Sequence, residues 1–379
     1  MRVLSLLAIL LAVAPPHLRA GNEPVSASVP LVIHESQVSL IHRHALVVAV
    51  HIQKCRTWQL NLGIIAFTWR SDPEPNQERE VLMMIDTGST RTTFDIALKE
   101  WLGDQIGQIT FNGVHTAPTY EFPKCRIGSM ELGSDATVDA LDLGQARKAC
   151  GQEIYGILGM DVLSQTILQV DPDAGAVRFL AKVPPGSGRS IPMIIPHHLK
   201  LPTVKGNVGG LGERDFVIDT GCGSVGACTS EDFESLRKSD QLHVVGQRWV
   251  QKITGPTKRE FGRFSAIEVG GFRHTGLVFA ADDPMPNLGI LGLEYFARYV
   301  TTFDFSQQKV YLRPASHFHD RVIWNVDYES PSGEEIETDS EEALRTAPQV
   351  TTQTYCCRPC CRQRTTRKCR CSPRCRRWR

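Results

Sequence analysis

A chain of 379 residues is long enough for two ordinary domains with a core each, and 41% apolar with 22% charged residues is the balance of a globular protein. The formal net charge of +1 excludes a global basic field of the kind that draws nucleic acid. It also hides an asymmetry: ten Lys/Arg and no acid fall within 356–379, so the remainder carries about nine net negative charges.

In chain order, Arg2, the apolar stretch Val3 to Ala14 and the small residue Ala20 form a secretory-signal pattern over 1–20. The apolar run is short for a membrane span, and no later segment is long and apolar enough to make one. The protein is therefore expected to be secreted, periplasmic or on the cell surface, where disulfides can form. Of the twelve cysteines, Cys125 with Cys150 and Cys222 with Cys228 are candidate pairs, although pairing does not follow from sequence.

Residues 21–36 read as an unstructured entry. Strand-like runs follow at Ala45 to Val50 and Leu62 to Phe67, with a loop at Ser71 to Asn76. The run Val81 to Ile85 delivers Asp86-Thr87-Gly88-Ser89, and Phe94 to Leu102 has helical periodicity. Asn112-Gly113 marks a hairpin. Apolar Ile157-Leu158 sits inside Gly156 to Gly159, and Pro184 to Gly188 reads as a linker. A second strand, Phe216 to Ile218, then delivers Asp219-Thr220-Gly221-Cys222, followed by a short helix at Glu231 to Arg237, a hairpin near Gly255-Pro256, strands at 264–269 and 277–280, and a second Gly-Ile-Leu-Gly ending at Gly292.

In each copy 73 residues separate the Asp from the last Gly, and 133 separate the copies. Asp171 and Asp304 keep that offset; both are expected to be structural turn residues. In the middle of the unit the match drifts, with Glu131-Leu132-Gly133 set against Glu268-Val269-Gly270 at 137. A duplicated unit is the organisation these spacings imply.

A carboxylate on a tight turn, with glycine beside it for close main-chain approach, is half of a two-carboxylate site. If the halves pack about a pseudo-twofold axis, Asp86 and Asp219 meet and share one proton, while Thr87 and Thr220 bond beneath them. The pair then activates a water without a covalent intermediate.

Met84 to Ser89, Val217 to Cys222 and the two apolar-apolar-Gly segments resemble those of pepsin-like aspartic proteases over roughly 40–315. The compact units look more like tandem retropepsin-like lobes, as in bacterial aspartyl-protease-family proteins. The resemblance implies an all-β, bilobal fold with an N-terminal lobe at 37–185, a C-terminal lobe at 186–318 and a few short helices. It implies endopeptidase hydrolysis of extended polypeptides by Asp86 and Asp219, oriented by Thr87, Gly88, Ser89, Thr220 and Gly221, without metal or other cofactor, in a monomer. Cys222 departs from the pattern, where Ser, Thr or Ala is usual. Tyr120 is the candidate flap residue, and 112–125 and 253–261 are the candidate flap hairpins.

A second reading keeps the fold but makes it a non-catalytic peptide- or surface-binding module. His197-His198 and His317-Phe318-His319 lack a convincing set of metal ligands. Residues 325–355, with eight acids between Asp327 and Glu342, read as a solvated spacer. The tail 356–379, with seven cysteines, fits a metal-thiolate cluster, a disulfide-linked knot on an anionic surface, or a flexible basic appendage.

Overall fold

The computed structural model describes residues 27–30, 32–35, 44–54, 57–62, 65–70, 77–111, 115–133, 137–150, 152–252, 255–283, 285 and 287–316. The expected signal segment, the loop expected at 71–76, the turn expected at Asn112-Gly113, His317 to His319, the acidic stretch and the Cys/Arg tail lie outside the described residues.

The described fold is all-β, with two similar halves and a few short helices. A ten-stranded sheet belongs to the first half and a nine-stranded sheet to the second. Between them runs a six-stranded sheet to which both halves contribute. The strand Ile167–Asp171 pairs antiparallel with Tyr299–Asp304, and Gln169 faces Thr302 in that register. Those two residues are 133 apart, and Gln169 Nε2 donates to Thr302 Oγ1 at 2.9 Å. Equivalent residues can bond one another only where the pseudo-twofold axis passes. One continuous apolar core runs from Leu46 in the first half to Leu312 in the second.

In each half the Asp-bearing strand lies in the middle of its sheet. Glu78–Ile85 pairs parallel with Ile154–Leu158, which pairs antiparallel on its other side with Thr93–Asp95. In the second half Gly212–Asp219, Gly289–Gly292 and Gly226–Cys228 repeat this arrangement. The Gly-Ile-Leu-Gly segments are thus strands threaded beneath the Asp turns. Their closing glycines leave no space: a Cβ on Gly159 would lie 2.5 Å from the Arg91 carbonyl, and one on Gly292 would lie 2.1 Å from the Ser224 carbonyl oxygen.

Among the described residues four short helices complete the fold: α1 (Gly144–Cys150), α2 (Met160–Leu163), α3 (Ser230–Lys238) and α4 (Leu293–Phe296). α3 is where the sequence signals it. Thr229 caps it by accepting from the Asp232 amide at 3.1 Å, acids open it, Arg237 and Lys238 close it, and Phe233 with Leu236 face the core. The helix expected at 94–102 is instead a strand, Thr93–Asp95, followed by a 3₁₀ turn, Ile96–Trp101, capped by Asp95.

Other expectations are corrected. The run from Leu62 to Phe67 is not one strand: Thr57–Leu62 and Ile65–Arg70 form a hairpin with Leu62 opposite Ile65. The helix α1 was not foreseen. Among the described residues it has no counterpart in the second half, which instead carries the longer hairpin Leu242–Lys252/Gly255–Phe264. These unequal insertions shift the internal match. Val269-Gly270 corresponds to Ile127-Gly128, not to Leu132-Gly133: each glycine opens a turn between short paired strands, with φ of 58° and 56°. Cys125, Cys150 and Cys228 are free thiols, so neither candidate disulfide forms.

Candidate active site

The two Asp turns meet on the pseudo-twofold axis, beneath which the threonines lock them together. The Thr87 amide donates to Thr220 Oγ1 and the Thr220 amide to Thr87 Oγ1, each at 3.1 Å. The hydroxyls donate onward across the axis, Thr87 Oγ1 to the Ile218 carbonyl at 2.7 Å and Thr220 Oγ1 to the Ile85 carbonyl at 2.8 Å. Both threonines are fully buried. Four reciprocal bonds satisfy both amides and both hydroxyls of the pair, and leaving one such group unsatisfied would cost about 1–3 kcal/mol. This fixes the separation of the turns, and therefore of the carboxylates above them.

Each glycine lies against the opposite carboxylate. A Cβ on Gly88 would fall 2.5 Å from Asp219 Cγ, and one on Gly221 would fall 2.5 Å from Asp86 Cγ. The Gly88 amide donates to Asp86 Oδ1 at 2.8 Å, and the Cys222 amide to Asp219 Oδ1 at 2.9 Å. The carboxyls also hydrogen-bond each other. Burial, then the charge of Asp219, pushes the Asp86 carboxyl well above the usual carboxylate range. Burial raises Asp219 too, but the Cys222 amide and the hydrogen bond from Asp86 oppose that rise. Burial thus raises both carboxyls, and the two groups titrate as a unit.

The remaining expected site residues fall in different places. The Ser89 hydroxyl turns away from the carboxylates and donates to the Arg91 carbonyl at 2.8 Å; its main chain holds the turn, accepting from the Met160 amide at 2.8 Å. Tyr120 lies near the base of the Gln105–Phe111/His115–Glu121 hairpin, opposite Gln105 and Val138, and packs in the apolar core. Residues 112–114, at the turn of that hairpin, are outside the described residues. The Cys222 side chain lies 3.2 Å from Ser224 Oγ and packs against a small apolar cluster on the second sheet.

Sequence reasoning missed the braces around the turns. Asp161, just after Gly159, accepts from the Thr92 amide at 2.9 Å and from Thr92 Oγ1 at 2.7 Å. Buried Asp139 takes Arg91 bidentately, at 2.6 and 2.8 Å. Asp161 and Thr92 lie 133 residues before Glu294 and Val225, so the repeat could have pointed to that position. There the second half differs. Val225 has no hydroxyl, and Glu294 is buried with Oε2 lacking a hydrogen-bond partner among the described residues. Burial, opposed by the charge of Arg298, raises its carboxyl to about 8.

A stability prediction follows with a definite sign. The folded state holds the Glu294 proton more tightly than the unfolded chain. Its stabilising share is therefore complete below the unfolded value near 4.5 and is lost as pH rises towards about 8. Glu294→Gln is expected to match wild type near pH 4 and to exceed it at pH 8, by at most about 5 kcal/mol, in urea denaturation. Parallel stability–pH curves for the two proteins would remove Glu294 from this role.

No family model matches the chain, and no curated protein matches it in sequence. Among solved structures, the aspartic proteinase from Irpex lacteus is similar at 13% identity and a TM-score of 0.46, over 79% of this chain and all of that one.

Proposed function

We propose that the chain is an aspartic endopeptidase that hydrolyses extended polypeptides with a water held between Asp86 and Asp219. The observation that carries this reading is the meeting of the two carboxyls, hydrogen-bonded to each other on turns locked by Thr87 and Thr220. Burying a pair of acids costs the fold stability, and a reaction at the pair accounts for why that cost is kept.

In this reading Asp219, the ionised partner, takes a proton from the water as its oxygen attacks the scissile carbonyl carbon. Asp86 donates its proton to the carbonyl oxygen, giving a tetrahedral diol. Collapse of the diol returns a proton to the pair and passes another to the leaving nitrogen, breaking the C–N bond. The Gly88 and Cys222 amides hold the carboxylates in register throughout. No step requires a metal or an organic cofactor. The tandem retropepsin-like ancestry, a signal peptide over 1–20 and action outside the cytosol belong to the same proposal; among the described residues no helix is long and apolar enough to cross a membrane.

The experiment is digestion of a reduced, alkylated polypeptide by the purified protein from pH 3 to 8, with new N-termini identified by mass spectrometry. The expected result is endoproteolysis with a bell-shaped pH profile. The acid limb reports protonation of both carboxyls. The alkaline limb, reporting loss of the shared proton, lies well above the usual carboxylate range because Asp86 does. Peptide binding without cleavage at any pH would favour the binding-module reading instead.

A further inference from the structure

The second sheet presents an apolar face that begins at the Asp219 turn. Ala227, Phe261, Val278, Ala280 and Ile290 form an apolar cluster there, and Cys222 and Val250 pack against it. Strand register extends the face outward. Ala227 is opposite Ile290, Ala280 is beside Ala227, and Phe261 is opposite Ala280. Two residues from Phe261 is Arg259, and opposite Arg259 is Arg248, which is two residues from Val250. Side chains alternate along a strand, so Arg248 shares the face of this apolar cluster.

The cations on this face differ in what they bind. Lys252 Nζ and Arg259 Nε both bond Asp282, at 2.6 and 2.9 Å. Arg248 has no carboxylate partner among the described residues. Its Nη1 donates to the Gln247 carbonyl at 2.9 Å, and its buried Nε has no partner. Burial alone lowers its pKa from the ordinary arginine value, with no acid to offset it. Room is kept for the guanidinium: Gly246, at a bulge and with φ of 128°, would place a Cβ 3.2 Å from Nη1. The strand Leu242–Lys252 also rests against α1 of the first half, so the hairpin reaches across from one half to the other.

We propose that Arg248 and this apolar wall form a subsite for an Asp or Glu side chain of an extended peptide, so that the protein selects acidic residues near the cut. The proposal rests on the peptidase reading for the peptide's path past Asp219. A half-buried guanidinium is most strongly satisfied by a carboxylate in the bidentate geometry it is shaped for. A glutamine offers one acceptor without charge, a lysine repels it, and the excess of cations over Asp282 favours an anion.

The test uses the full chain carrying Asp219→Asn, so that binding is read without turnover. Decapeptides with a single Glu moved through the central positions, each paired with its Gln counterpart, are titrated by fluorescence anisotropy. At one position Glu is expected to bind roughly ten- to a hundredfold more tightly than Gln. Adding Arg248→Met should reduce that ratio to about one, and Arg248→Glu should transfer the preference to Lys at the same position. Equal Glu and Gln affinities at every position, which need no Arg248 variant to observe, would overturn the subsite, as would a preference that survives Arg248→Met. Cleavage of the Gln peptides by wild type is scored separately. A Glu preference without cleavage contradicts only the peptidase reading, cleavage without a Glu preference contradicts only the subsite, and the absence of all peptide binding contradicts both.

Discussion

Asp86→Asn and Asp219→Asn are each expected to lower kcat/KM on an internally quenched peptide by roughly 10⁴-fold or more, while the protein stays folded by circular dichroism. Each removes half of a unit: Asp219→Asn takes away the base, and Asp86→Asn the proton that polarises the carbonyl. The losses should not add, because either change alone leaves no second carboxyl to share the proton, and the double variant should be about as inactive as the singles. Neither should destabilise the fold. Burial raises both carboxyls, so a neutral amide in place of either adds no buried charge. Activity that survives either substitution would refute the mechanism.

The second large effect is structural. Gly292→Ala is expected to cost roughly 3 kcal/mol or more in urea denaturation and to abolish activity with it. The added Cβ would sit 2.1 Å from the Ser224 carbonyl oxygen and 2.7 Å from that of Cys222. These are backbone atoms of the segment that follows the Asp219 turn. The Leu293 amide donates to that same Cys222 carbonyl at 2.7 Å, so the loop cannot retreat without breaking the bond. Gly133→Ala is the control, since a Cβ there meets nothing within 4 Å. Equal stability of the two variants would show that the threaded strand does not brace the turn.

How much of this the sequence disclosed depends on whether the signal was local or relational. The Asp turns and the Gly-Ile-Leu-Gly strands were legible because duplication printed them twice at one offset, and the same offset separates Thr87 from Thr220 and Gln169 from Thr302. Where the halves diverge, the ruler failed: α1 in one half and the longer hairpin in the other moved Gly270 against Gly128 rather than Gly133. A buried face of Leu143, Ala146 and Cys150 was a helical signal for α1, but its seven residues are too few for periodicity to stand out. Leu62 to Phe67 shows the opposite failure, a branched apolar run that reads as one strand and folds as parts of two. Ser89 was legible as a member of the turn motif, but the partner of its hydroxyl, the Arg91 carbonyl, was not, because a motif names a residue and not the direction of its hydroxyl. Arg248 was invisible for a related reason. What distinguishes it from Lys252 and Arg259 is the reach of Asp282, which only the pairing of strands determines.

The central claim is that Asp86 and Asp219 form one proton-sharing unit, and it is tested most directly by carbon-13 NMR titration of the two side-chain carboxyls. Both resonances are expected to respond to the same two proton losses, with the upper one well above the usual carboxylate range. In Asp219→Asn the coupling should vanish and Asp86 should titrate in a single step. Two independent titrations near 4, unaffected by substitution of the partner, would contradict it.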